Sequence, residues 1–210
     1  MTNIPLFIHI NSSGGRYMRS KFCEKYNDNF IVHHINPRLY RDIVPRNKVV
    51  RCWKYRDPYL KYSTMLMKFN NVSIFDIKDT IPFIVLRDPI QRYKTENRNI
   101  SEPWEDARSY NIICKSLYVA FTGDYNDFFL EFTEDKYNSI INFMKTIKVI
   151  TLNQIDELTN LFEFNSPPVY KSSSRENEHD IKKIEDINYF DCKLYNLYTE
   201  GFSLPKSHGL

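Results

Sequence analysis

Two short runs in this 210-residue sequence combine residue types and spacings suited to holding a charged ligand. The first is Asn11, Ser12, Ser13, Gly14, Gly15 and Arg16. Only five glycines occur in the whole chain, and two of them stand together here. A polar loop with paired glycines, leading from an apolar run into a helix, presents backbone N–H groups that can wrap an anion, and the helix dipole favours negative charge at the same place. The chemistry would be phosphate or sulfate binding. On this stretch alone, an ordinary glycine-containing turn is an equally good reading. The second run is Leu86, Arg87, Asp88, Pro89, Ile90, Gln91, Arg92, Tyr93, Lys94, Thr95 and Glu96. Asp88 is placed to cap a helix and Pro89 to take its first position, where a missing N–H costs nothing. Arg87 then falls at the carboxyl end of the apolar segment 83–86, the edge at which open α/β sheets bind ligands. A guanidinium there suits two phosphate oxygens, although pairing with a nearby carboxylate accounts for it equally well.

To present the first run, residues 5–10 must form a strand and a helix must open at Arg16, with Tyr17, Met18, Phe22 and Tyr26 among its apolar positions. To present the second, 83–86 must be a strand apolar on both faces, as in the middle of a parallel sheet. Between them, 30–35 reads as a second strand, in which His33 and His34 point to opposite faces and cannot share a metal. Residues 38–58 read as irregular. Residues 59–69, with Leu60, Met65, Leu66 and Phe69, read as a helix packed on the sheet, and a turn at Asn70 and Asn71 leads into 72–77. Further helices are expected over 111–121, 135–144 and 154–162, with a strand over 147–152. The polar run 171–186 reads as a solvated loop entering a charged helix. A last helix opens at Asn188 with Asp191 three residues on, in the manner of a capping box.

Alternating strands and helices over this length fit one α/β domain spanning 1–210, large enough to bury roughly 70% of its unfolded surface. With 29 basic and 26 acidic residues the net charge is only +3, which argues against a nucleic-acid coat or a membrane-surface protein. Cys23, Cys52, Cys114 and Cys192 are far apart and lack metal-site spacing, so they read as free thiols of a reducing compartment. No secretory signal is evident, and no segment reaches the ~20 apolar residues that span a bilayer. The expectation is a soluble, cytoplasmic protein with no metal requirement.

Taken together, the two runs resemble the carbohydrate sulfotransferase family, most closely its heparan sulfate 2-O- and 6-O-sulfotransferase branch. That family opens with a strand and a loop of the type His-Ile-x-Lys-Thr-Gly-Gly-Thr, matched by His9, Ile10, Asn11, Ser12, Ser13, Gly14, Gly15 and Arg16. Its Leu-Arg-Asp-Pro-x-x-Arg-Tyr-x-Ser-Glu motif is matched from Leu86 to Glu96, its Asn-Ser-Thr-Arg loop is similar to Ser172, Ser173, Ser174 and Arg175, and its terminal helix pattern is matched by Asn188, Asp191, Leu194, Tyr195 and Phe202. The resemblance implies a three-layer α/β sandwich with a central parallel sheet and a P-loop-like nucleotide site. It implies 3′-phosphoadenosine 5′-phosphosulfate (PAPS) as cofactor and a carbohydrate or other hydroxyl compound as acceptor. Ser12, Ser13, Gly14, Gly15, Arg16 and Tyr17 would surround the 5′-phosphosulfate, Arg87 and Thr95 would hold the 3′-phosphate, and Ser174 and Arg175 would add a further contact.

Two departures touch the chemistry. The loop lysine that assists the family's leaving group falls on Ser12, and Arg16 is the expected substitute, since a guanidinium at a helix start neutralises phosphate. The family's base histidine falls on Asn71, which cannot accept a proton; Asp76 and His34 are the candidates in its place, each with a purely structural alternative. A degenerate member that binds a 3′-phosphonucleotide or a sulfated glycan without turnover is the competing expectation. A P-loop kinase is weaker, because the loop lacks the Gly-Lys-Ser/Thr ending. Arginines and tryptophans in 38–58 and 97–110, among them Arg51, Trp53, Arg98 and Trp104, could line an acceptor groove or decorate solvated loops.

Overall fold

A computed structural model of the chain describes residues 4–10, 13–26, 31–34, 53–54, 65–66, 73–76, 79–96, 110–124, 127–128, 130–164 and 181–200. Among the described residues six strands form one sheet: β1 (Ile4–His9), β2 (Ile31–His34), β3 (Trp53–Lys54), β4 (Met65–Leu66), β5 (Thr80–Leu86) and β6 (Lys148–Thr151), in the order β3-β4-β2-β1-β5-β6. All neighbours run parallel except β3, which pairs antiparallel with β4 at the edge. The α-helices among the described residues are α1 (Gly15–Tyr26), α2 (Pro89–Glu96), α3 (Ile112–Thr122), α4 (Glu134–Met144), α5 (Asp156–Phe162), α6 (Ile181–Ile187) and α7 (Tyr189–Thr199).

Side chains alternate across the two central strands and sort the core into two halves. Leu6, Ile8, Ile84 and Leu86 join Leu117 of α3, Ile140 of α4 and Leu194 of α7 on one face. Phe7, Phe83, Val85 and Ile150 join Met18 and Phe22 of α1, Ile155, and Phe162 of α5 on the other. The second half is aromatic: Phe7 stacks on Phe83 with centroids 5.0 Å apart, and Phe22 meets Phe162 edge-on at 5.0 Å. Lys25, in the last turn of α1, donates to the carbonyls of Phe162 and Glu163 and so closes the carboxyl end of α5. The sheet is thus covered on both faces, as its apolar central strands require.

The expected helix over 59–69 is corrected at its described residues: Met65–Leu66 is a strand, with Leu66 in register with Val32 and Trp53. Its broad apolar face is what a strand in a covered sheet needs, and periodicity cannot separate the two over so short a run. Trp53–Lys54 is likewise a strand within the segment read as irregular. Residues Ile74–Asp76 form one 3₁₀ turn. No helix among the described residues is long and apolar enough to cross a membrane.

The expected capping box of the last helix takes another form. Asn188 makes no side-chain bond to its own helix. Asp191 is fully buried, and its carboxylate accepts the N–H groups of Ile113 (3.0 Å) and Cys114 (2.8 Å) at the start of α3. Asn111 returns the contact, its Oδ1 accepting from the N–H groups of Phe190 (3.0 Å) and Asp191 (3.3 Å), while its own N–H reaches Asn188 Oδ1 at 3.2 Å. Helices α3 and α7 therefore cap each other. The local cost is Asn111 in the left-handed region (φ 49°), which asparagine tolerates better than most residues.

Candidate anion-binding site

The strand order creates one topological switch point. From β1 the chain passes through α1 to β2 on one side; β5 lies on the other side of β1 and leads on to β6. In open α/β sheets, ligands bind in the crevice outside the carboxyl ends of two such strands. Ile8 is in register with Ile84, so the loop after His9 and the turn after Leu86 leave the sheet side by side. The two runs singled out in the sequence thus meet at one edge. Four buried polar residues gather along it: His9 at the end of β1, Ser13 in the following loop, Arg87 after β5 and Thr151 at the end of β6.

Backbone chemistry makes this edge receptive to anions. Gly14 has φ +76°, a left-handed conformation that glycine adopts without a Cβ penalty, and it turns the loop into the helix. The N–H of Ser13 bonds to the carbonyl of Ile10 at 3.2 Å, and that of Met18 is the first to reach back along the helix, to Gly14 at 3.1 Å. In any α-helix the N–H groups of the first turn find no acceptor within the helix itself. Ser13 Oγ is fully buried and has no hydrogen-bond partner among the described residues. A buried hydroxyl left in that state carries a free-energy penalty of about 1–3 kcal/mol, which a bound acceptor would remove.

Gly15 answers a different constraint. Its φ is not positive, but a Cβ there would lie 1.8 Å from His9 Nε2 and 2.4 Å from both Cδ2 and Cε1. The imidazole therefore rests directly on the first residue of α1. Its ring centroid is 5.3 Å from that of Phe7. His9 opens the run matched in the sequence, where no role was assigned to it. Its contact with Gly15 depends on the fold, which brings the carboxyl end of the first strand against the start of α1.

On the β5 side, Asp88 Oδ1 accepts the N–H groups of Ile90 (2.8 Å) and Gln91 (3.0 Å), the expected cap of α2. Arg87 is held 94% buried at the junction, being 6% exposed. Thr95, almost two turns along α2, donates its hydroxyl to the Gln91 carbonyl at 2.8 Å, so a ligand there would meet the oxygen as an acceptor or exchange this bond. Thr151 donates to Gln154 Oε1 at 2.7 Å and belongs to a capping box.

The remaining predicted positions divide by what is described. Arg16 and Tyr17 lie in the first turn of α1, and His34 ends β2 in register with His9. Asp76 closes the 3₁₀ turn. Ser12, Asn71, Ser174 and Arg175 lie outside the described residues, as does most of 38–58 and of 97–110. Among the described residues there is no cluster of three or more metal-binding side chains.

A second buried polar group lies behind the site. Arg92 on α2 is fully buried, as is Asp191 on α7, and α2 packs on α7. Burial pushes the Asp191 carboxyl up, opposed by the Arg92 guanidinium and by the N–H groups of Cys114 and Ile113. Burial likewise raises the Cys114 thiol, with the Asp191 charge acting in the same direction. Cys192 is pushed up to about 12 by burial and then by Asp191. Both cysteines are free thiols.

No family model matches this chain, and no curated protein matches it either.

Proposed function

We propose that this chain is a sulfotransferase that uses PAPS and moves a sulfuryl group to a hydroxyl, on a carbohydrate or a similar acceptor. One observation carries the reading: the paired-glycine loop and the Arg87-Asp88-Pro89 turn, 72 residues or more apart in sequence, emerge side by side at the switch point of a parallel sheet. That arrangement suits a nucleotide phosphorylated at two places, with the α1 loop facing the 5′ group and Arg87 and Thr95 the 3′-phosphate. In the transfer, the acceptor oxygen bonds to sulfur as the bond from sulfur to the phosphate oxygen breaks. Arg16 and the α1 N–H groups would stabilise the charge gathering on the departing phosphate. His34 or Asp76 would take the acceptor proton. Ser12, Ser13, Gly14, Gly15, Tyr17, Ser174 and Arg175 complete the proposed cofactor contacts.

A second reading, a sulfotransferase-like binding protein without turnover, draws on Ser12 and Asn71 standing where the resembling family has its lysine and histidine. Calorimetry decides the cofactor question. 3′-Phosphoadenosine 5′-phosphate should bind in preference to ADP, and Arg87→Ala should weaken it by tenfold to a hundredfold, the loss of a charged hydrogen bond of about 1.5–3 kcal/mol. Equal affinity for ADP, or binding indifferent to Arg87→Ala, would contradict the proposal. Sulfate transfer to any hydroxyl acceptor, lost in Arg87→Ala, would remove the second reading.

A further inference from the structure

We propose that Arg92 is a positioning residue: its buried charge, balanced by that of Asp191 on α7, fixes the first turn of α2 and thereby the Arg87 junction that would hold the 3′-phosphate. The inference rests on the cofactor reading for the ligand, while the hold on α2 has a readout of its own. Arg92 and Asp191 are both fully buried, and α2 packs on α7. A guanidinium taken out of water needs an opposite charge or hydrogen bonds to offset its desolvation. Among the described residues Asp191 is the one buried acid. Its carboxylate cannot drift, because it accepts the N–H groups of Ile113 and Cys114 at the start of α3.

Electrostatics place the start of α2 along the same stretch of α7. Burial, which raises the Asp191 carboxyl, is opposed first by the Arg92 guanidinium. Burial and then Asp191, Glu185 and Asp88 raise the Cys192 thiol, and Arg92 again opposes them. Burial and then Asp88 raise the Tyr195 phenol. The turn from Asp88 to Arg92 therefore faces α7 between Asp191 and Tyr195. That turn is closed by the N–H of Arg92, which donates to the Asp88 carbonyl at 2.9 Å, while Asp88 Oδ1 accepts from Ile90 and Gln91. Arg87 directly precedes it. On its other side Arg87 follows β5, which is held between β1 and β6. The junction is thus fixed by the sheet at one end and by the Arg92 charge at the other. Without that charge α2 can shift on α7, and Arg87 shifts with it.

The test uses the full chain as wild type, Arg92→Met, Arg92→Lys and Asp191→Asn, in two measurements. The first is hydrogen exchange without ligand: in Arg92→Met and Asp191→Asn the segment 88–95 should exchange faster by about two- to thirtyfold, the range of a coupling carried through packed helices, while α1 on the opposite face of the sheet is unchanged. The second is calorimetry with 3′-phosphoadenosine 5′-phosphate and with adenosine 5′-phosphate, whose affinity ratio reads the 3′-phosphate alone. A merely structural role lowers the folded fraction and scales both affinities alike. Loss of positioning narrows the ratio, by about two- to thirtyfold in Arg92→Met, and Arg92→Lys, which keeps the charge, should retain the larger part of it. Should Arg92→Met fail to fold, Asp191→Asn breaks the same link from α7. Unchanged exchange of 88–95, or a ratio equal to that of wild type, overturns the proposal and leaves the cofactor reading standing. Faster exchange of 88–95 in a protein whose wild type does not distinguish the two nucleotides supports the hold of Arg92 on α2 and overturns the nucleotide. Unchanged exchange together with an undiscriminating wild type overturns both.

Discussion

At Gly15 a methyl group would begin 1.8 Å from His9 Nε2, whereas at Gly14 it would meet only Leu152 Cδ1 at an ordinary 3.5 Å. The adjacent glycines therefore fail differently when replaced. Gly14→Ala places a Cβ in a left-handed conformation and should cost about 1–2 kcal/mol in urea unfolding. Gly15→Ala must displace either the imidazole or the helix start, at about 1–3 kcal/mol, and should also abolish anion binding. Equal anion affinity in Gly15→Ala and wild type would mean that the His9 contact is irrelevant to the site. Reactivity is suppressed in the second buried polar group. With Cys192 pushed up to about 12 and Cys114 fully buried, little thiolate exists at pH 8. Both should resist iodoacetamide in the folded protein and react once it is unfolded; peptide mapping that finds either labelled in the native state would contradict the packing described.

The mutual capping of α3 and α7 makes Asp191 the residue on which two elements depend. Asp191→Ala leaves the N–H groups of Ile113 and Cys114 buried without acceptors and should cost about 3 kcal/mol, measured by denaturant unfolding. The pH dependence follows from the direction of its shift. Burial raises the folded carboxyl above its ordinary value of 3.8, so the folded state holds a proton that the unfolded chain has lost, and stability declines as pH rises through that window. The margin of wild type over Asp191→Asn should accordingly widen as pH is lowered toward 4; a margin that narrows would reverse the sign. These contacts show where the sequence was legible. The cap of α2 by Asp88 was readable because donor and acceptor are two or three residues apart. The spacing of Asn188 and Asp191 suggested a cap of the same local kind, but their partners are 77 and 78 residues away, and no periodicity carries that distance. Met65–Leu66 was misread for the opposite reason, since a two-residue strand holds no period at all.

For the molecule as a whole, the parallel sheet was expected from the apolar run through β5, and the pairing of both loops at one edge follows from the strand order. Each loop taken alone has an ordinary structural explanation, and it is their adjacency that supports the proposal of a shared anion site. The contact of His9 with Gly15 was not legible, because it depends on the ring lying over a residue six positions away along a strand and a turn. In a chain of net charge only +3, attraction of a nucleotide would be local rather than global. Nucleotide affinity should fall with added salt by a few-fold between 50 and 200 mM, far less than for a polycationic surface. The central claim, that one ligand engages both loops, is tested most directly by hydrogen exchange and mass spectrometry with and without 3′-phosphoadenosine 5′-phosphate. The account predicts slowed exchange in two separate segments, 13–20 and 86–95, at the same nucleotide concentration. Protection confined to one segment, or to neither, would contradict it.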